Sequence, residues 1–130
     1  MMTNINPGCF FEIPVLDLNR AMAFYNHVFG YDFTQETIHG NQMAFLPYHA
    51  QGDGIGGALV QGEAYIPSQQ GTLIYLRAHD LQQTLAKVED NGGAILFPVT
   101  AAADYGLVAE IADSEGNRIG LFQPRAMSEA

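Results

Sequence analysis

The feature that most constrains this chain is a repeat at a fixed spacing. Asp17 and Asp80, Leu18 and Leu81, Met22 and Leu85, and Gly30 and Gly93 are each 63 positions apart. A register held across a helix cap, a helix and a glycine stop is the mark of two similar units packed about a pseudo-two-fold.

Each unit reads as strand, helix, then three strands. In the first, Phe10 to Val15 (FFEIPV) is short and apolar and reads as a strand. Asp17 is placed to cap a helix over Asn19 to Phe29, where Met22, Tyr25, Val28 and Phe29 recur at helical spacing. Gly30 supplies its stop. Strands follow at Tyr31–Ile38, Gln42–Tyr48 and Ile55–Gln61, with His39-Gly40-Asn41 and the stretch Gln51–Gly54 as turns. Gly62 to Gly71 reads as a linker. The second unit then opens with a strand over Thr72–Arg77. Asp80 and Gln83 form a capping-box pattern, and Leu81, Leu85 and Val88 make the apolar stripe of a second helix ended by Asn91-Gly92-Gly93. Ala94–Val99, Gly106–Ala112 and Asn117–Gln123 complete it, with Asp113 to Asn117 as a tight hairpin loop.

The expected architecture is therefore α+β: two tandem βαβββ modules over residues 9–61 and 72–123, in a single domain spanning 1–130, with curved sheets enclosing a cavity between them. A chain of 130 residues with 48% apolar content can bury a stable core without staples. Cys9 is the single cysteine, so no internal disulfide can form and a reducing compartment is the natural reading. Met1 to Pro7 lacks the pattern of a secretion signal, and no apolar run approaches the roughly 18 residues of a membrane helix. A cytoplasmic protein that spans no membrane is expected. The formal charge is −9, with five Lys and Arg against 14 acids. No basic cluster is present to meet phosphates, so nucleic acid is not an expected partner.

The stretch from Phe10 to Gly30 resembles the opening of the vicinal oxygen chelate superfamily, which includes glyoxalase I, bleomycin-resistance proteins and extradiol dioxygenases. Val15, Asp17, Arg20, Ala21, Phe24, Tyr25, Phe29 and Gly30 carry the match. Tyr75, Asp80 and Asn91-Gly92-Gly93 echo it in the second half, and Asp113 to Leu121 (DSEGNRIGL) resembles the family's terminal hairpin. It looks closest to a small glyoxalase-like subgroup, most of whose members have no assigned reaction. The resemblance implies the glyoxalase/bleomycin-resistance fold and a homodimer.

It also implies a divalent metal held by His, Glu or Gln on the first and last strands of each half. The corresponding positions here are Phe10, Leu73 and Gly120, and the fourth, in Ile55–Gln61, offers at best Gln61. Benzyl, isobutyl and hydrogen side chains supply no donor to Mg²⁺, Zn²⁺, Fe²⁺ or Mn²⁺. The expectation is that the metal site is lost and no cofactor is held.

Strand alternation puts Phe10 with Glu12, Leu73 with Tyr75, and Gly120 with Phe122 on shared faces. With Phe45 these form the expected ligand-binding set, in a cavity where Glu12 and Tyr75 are the candidate catalytic groups. Glu12 has three readings: a general base, a counter-ion for a cationic ligand, or a structural partner of Arg77 or Arg118. Phe10, Phe45, Tyr48, Tyr75, Tyr105 and Phe122 are stacking surfaces for an aromatic or cationic small molecule. Three functions follow: a metal-free binding protein, as bleomycin-resistance members of the superfamily are; a glyoxalase-like lyase or isomerase acting on a carbonyl compound, with Glu12 as base or with a metal held by residues other than those aligned above; or a dimerisation or accessory unit. His27, His39, His49 and His79 show no ligand spacing and are expected at the surface; Cys9 is expected buried or at a strand edge.

Overall fold

The computed structural model describes residues 5–125, so both ends of the 1–130 span lie outside the described residues. The element order is β1 (Phe10–Pro14), α1 (Leu18–Phe29), β2 (Thr34–Ile38), β3 (Asn41–Phe45), β4 (Gly56–Gln61), β5 (Tyr75–Arg77), α2 (Leu81–Asp90), β6 (Ala94–Ala102), β7 (Gly106–Ala112) and β8 (Arg118–Pro124). Each half builds its own four-stranded mixed sheet, ordered β1-β4-β3-β2 and β5-β8-β7-β6. In both sheets the first and last strands of the module pair in parallel and the remaining contacts are antiparallel. A parallel pair needs a crossover, and α1 and α2 supply it.

The helices begin alike. The Asp17 and Asp80 carboxylates accept from the amides of Arg20 and Gln83, at 3.0 and 3.1 Å. The first helical amide in each module then donates to a glutamine at the end of that module's last β1-paired strand or its counterpart: Leu18 to Gln61 and Leu81 to Gln123, both at 2.8 Å. Gln61 and Gln123 thus serve the helix starts, where free amides must find acceptors.

The ends differ. Gly30 takes the left-handed conformation at φ 80, as expected. In the second module that role falls to Gly92, at φ 92, and not to Gly93. Gly93 is needed for another reason. A Cβ there would stand 2.6 Å from the Ala112 carbonyl oxygen and 3.0 Å from the Phe24 ring, so α1 and α2 can approach only over a bare backbone.

Several strands have moved bounds. The strand expected from Tyr31 starts at Thr34, because Tyr31 and Phe33 turn onto the core instead. Tyr31 stacks on Phe29 with ring centres 5.1 Å apart. The strand expected to run to Tyr48 stops at Phe45, short of Pro47, which has no N–H to give a ladder. The strand expected from Thr72 starts at Tyr75, so Leu73 precedes β5. β6 continues to Ala102, with register shifts around Phe97 that accommodate Pro98 on this edge strand.

One buried cluster serves both modules. Ile13, Phe24, Tyr25 and Leu59 of the first meet Leu81, Val88, Ile111 and Leu121 of the second. Each sheet turns its helix side into this core and leaves its other face outside it.

Candidate functional site

The open face of the first sheet follows from the alternation of β1. Ile13 is buried at 2% exposure, whereas Phe10 is 45% exposed and Glu12 is exposed on the opposite side. Register places Phe10 opposite Gly56, and Ala58 between Glu12 and Phe45. The Phe10 and Phe45 rings lie 6.2 Å apart at 50°. Beside them Met43, Ala58 and Val60 form a small buried patch under Phe45 and Tyr65.

Tyr65, from the linker, donates its hydroxyl to Glu12 Oε1 at 2.9 Å. That bond holds the Tyr65 proton and raises its pKa above the ordinary value. Glu12 therefore has a phenol as its partner, not Arg77 or Arg118. Arg118 is committed elsewhere: its Nε donates to Glu110 Oε1 at 2.7 Å.

The open face of the second sheet is built on β8. Gly120 sits between Tyr75 and Glu110, and Phe122 between Arg77 and Val108. The Tyr75 ring covers Gly120 so closely that a Cβ there would stand 2.7 Å from it. Tyr75 is nonetheless 50% exposed, and Phe122 is half-buried.

The expected site residues are not gathered in one cavity by a single chain. Phe10 and Phe45 line a recess of about 230 Å³ with Cys9, Tyr48 and Gly56. Glu12 lines another of about 210 Å³, between β1 and the linker, with Gln70, Thr72 and Arg118. Tyr75 borders a third, of about 500 Å³. Leu73, expected to alternate with Tyr75 along a strand, lies in irregular backbone ahead of it; the ladder there is continued by the Ile74 carbonyl, which accepts from Gly120 N at 2.8 Å. All four histidines are exposed, as expected, and Cys9 is exposed rather than buried.

Sequence reasoning missed a polar clasp that joins the modules. The hairpin loop Asp113 to Asn117, read as a plain turn, is buried at Asp113 (3%), Glu115 (7%) and Asn117 (4%). Glu115 Oε1 accepts the Leu16 and Asp17 amides at 2.9 Å, and its two oxygens receive Arg20 Nη2 and Nε at 2.9 and 2.7 Å. Burial alone would raise the Glu115 pKa, but the Arg20 fork and the amide donors overcome it and hold the carboxyl at about 2. Asp113 accepts the Tyr25 hydroxyl at 2.7 Å and the amides of Glu115 and Asn117 at 2.9 Å. Here desolvation dominates and the pKa is raised. Burial likewise pushes the Tyr25 phenol well up and Tyr31 to about 12. Asn117 closes the clasp by donating to the Pro14 carbonyl at 2.7 Å. The only signal in the sequence is the pair of acids, Asp113 and Glu115, in one short turn; Arg20 and Tyr25 lie 95 and 88 positions from their partners and are brought to it only by the fold.

Among the described residues no three His, Cys, Asp or Glu side chains gather to hold a metal, and the positions where the resemblance expects ligands carry Phe10, Leu73 and Gly120. Among the described residues, too, no helix is long and apolar enough to cross a membrane.

The fold has relatives among known proteins. The family model described as Glyoxalase/Bleomycin resistance protein/Dioxygenase superfamily matches residues 10–121. No curated protein matches the chain. Among solved structures, the hypothetical protein SA1046 from S. aureus superposes with a TM-score of 0.68 at 16% identity, over 94% of this chain and 97% of that one. A glyoxalase I variant from Zea mays gives 0.67 at 18% identity, over 90% of this chain and 46% of that one. TnmS3, an antibiotic binding protein from Streptomyces sp. CB03234, gives 0.64 at 28% identity, over 95% and 99% of the two chains.

Proposed function

The chain belongs to the glyoxalase/bleomycin resistance protein/dioxygenase superfamily, and from that premise we propose that it is a metal-independent binding protein for a small aromatic or cationic organic molecule. The observation that carries this reading is the exchange of donors for rings. Where a member of this fold could hold a metal, Phe10 and Gly120 stand instead, and the same two faces present Phe10 and Tyr75 at 45% and 50% exposure. Aromatic faces so open to water gain from covering a flat ligand. Glu12 lies beside Phe10 on the first of these faces as a counter-ion for a cation, with Oε2 left over from its bond to Tyr65.

The separated faces support a second element of the proposal. Phe10, Glu12 and Phe45 belong to one sheet, and Tyr75, Gly120 and Phe122 to the other. A homodimer that apposes the first sheet of one chain with the second sheet of its partner would assemble them into one pocket and cover their apolar surface. The 28% identity to an antibiotic binding protein over nearly the whole length of both chains favours a ligand of that general kind.

The test is a thermal-shift screen of cationic and neutral aromatic compounds, antibiotics among them, with and without EDTA, alongside metal analysis and sedimentation. The expected result is a dimer without stoichiometric metal, stabilised by at least one compound equally well in EDTA, and less so in Phe10→Ala and Phe122→Ala. Stoichiometric Ni, Zn, Mn or Fe, or the failure of every compound to stabilise the protein, would overturn the reading. The alternative, a lyase or isomerase using Glu12 as base and Tyr75 as a second catalytic group, draws on the placement of a carboxylate among rings. Turnover of a carbonyl compound that Glu12→Gln abolishes would establish it instead.

A further inference from the structure

The two junctions between modules, which the 63-residue repeat would make alike, are built differently. At one, the β7–β8 loop is closed on the start of α1 by Asp113, Glu115, Arg20 and Tyr25. At the other, the corresponding positions on α2 are Gln83 and Val88, which offer neither a cation nor a phenol. The β3–β4 loop contributes Asp53 and Gly54 to a cavity of about 500 Å³ that it shares with β5 and the start of β1.

Its wall is apolar and partly aromatic, from Phe11, Tyr31, Leu46, Ile55, Ile74 and Tyr75. Its mouth carries Arg77, whose Nη2 lies 4.0 Å from where a Cβ on Gly54 would stand. Among the described residues the ion pairs are those of Arg20 and Arg118; Arg77 is in neither. A cavity of this size, mostly apolar with one unspent guanidinium at its rim, has the make-up of a ligand site.

We propose that this cavity binds a small aromatic carboxylate, the ring against Phe11 and Ile74 and the carboxylate on the Arg77 fork. A planar guanidinium matches a carboxylate with two parallel hydrogen bonds. Asp53 on the same rim opposes an anion and sets the affinity. The inference is distinguished from the function proposed above by the opposite ligand charge: the cavity shares Tyr75 and Arg77 with the open face of the second sheet, Leu46 with the Phe10 recess and Ile74 with the Glu12 recess, while Phe11 and Ile55 belong to it alone.

Phenylacetate serves as the probe, with phenylacetamide as its neutral counterpart, titrated into the full chain by calorimetry and by NMR of the isoleucine methyls. Phenylacetate should bind and shift Ile55 and Ile74. Binding should weaken about tenfold in the amide and in Arg77→Gln, the loss expected when a charged hydrogen-bond partner is removed. Arg77→Lys should fall between, and Asp53→Asn should tighten binding. Equal affinity for acid and amide, unchanged binding in a folded Arg77→Gln chain, or shifts confined to the residues around Phe10 and Phe45 would each overturn the proposal. None of these results bears on whether a cationic aromatic binds the open faces.

Discussion

The Tyr25 hydroxyl donates to Asp113 Oδ2 at 2.7 Å across the seam between the modules, joining residues 88 positions apart in the chain. Tyr25 is fully buried and Asp113 nearly so, so the bond is made where water cannot replace either partner. Tyr25→Phe leaves the aromatic packing in place and takes one donor from a buried carboxylate. Unfolding in urea should show a loss of about 1–3 kcal/mol. Wild-type stability in that variant would mean the seam does not depend on this bond.

Glu115 makes the clasp sensitive to acid. Its carboxyl is held at about 2 in the folded chain against an ordinary 4.5. A depressed pKa gives stability that is fully present above about 4.5 and is lost as pH falls from there toward 2. Asp113 acts in the other direction: its raised pKa favours the protonated form in the fold, which offsets part of the loss at the upper end of that window, above the ordinary 3.8. Melting temperature measured against pH should therefore decline below about 4.5, and Glu115→Gln should be less stable at neutral pH with a flatter acid limb. A decline of equal steepness in that variant would remove Glu115 from the account.

The paired glutamines offer a test of the repeat. Gln61 and Gln123 each accept the first amide of a helix, at 2.8 Å. Replacing either with Ala removes a helix-start acceptor and should cost about 1 kcal/mol by denaturant titration. The two losses should add in the double variant, since the sites lie in different modules. Strong non-additivity would show that the helix starts are coupled through the shared core.

Gly120 and Tyr75 should behave as a unit. A Cβ at Gly120 would stand 2.7 Å from the Tyr75 ring, and the ring has solvent on its other side into which it can move. Gly120→Ala should therefore fold, displace Tyr75, and weaken the stabilising compound about as much as Tyr75→Ala does. In the double variant the second change should add little. If the two effects on affinity simply sum, the ring is not held by its seat on Gly120.

The local framework was readable from residue order. Caps at Asp17 and Asp80, the helices behind them and most strands occur where alternation and helical periodicity require. Errors fell where a neighbour in space overrode a local preference. Tyr31 has the makings of a strand residue, yet stacking on Phe29 draws it to the core. Gly93 looks like the counterpart of Gly30, yet it is glycine because Phe24 and Ala112 leave no room for a Cβ. Glu12 shares the face of Phe10, as alternation along β1 requires, but its partner, Tyr65, comes from a linker whose path no local pattern describes.

What the sequence determined by itself is the module: its periodicities, its caps and its doubling at 63 positions, all of which act between residues close along the chain. Only the tertiary structure decided how the two copies meet. It turned a hairpin loop into a buried clasp with Arg20 and Tyr25, left a cavity beside Arg77 between β5 and the β3–β4 loop, and set Phe10 and Tyr75 on separate faces. The physical reason is that burial and charge pairing depend on distance in space. A repeat conserves the fold of each half, while the few side chains that differ between the copies decide how each seam is closed.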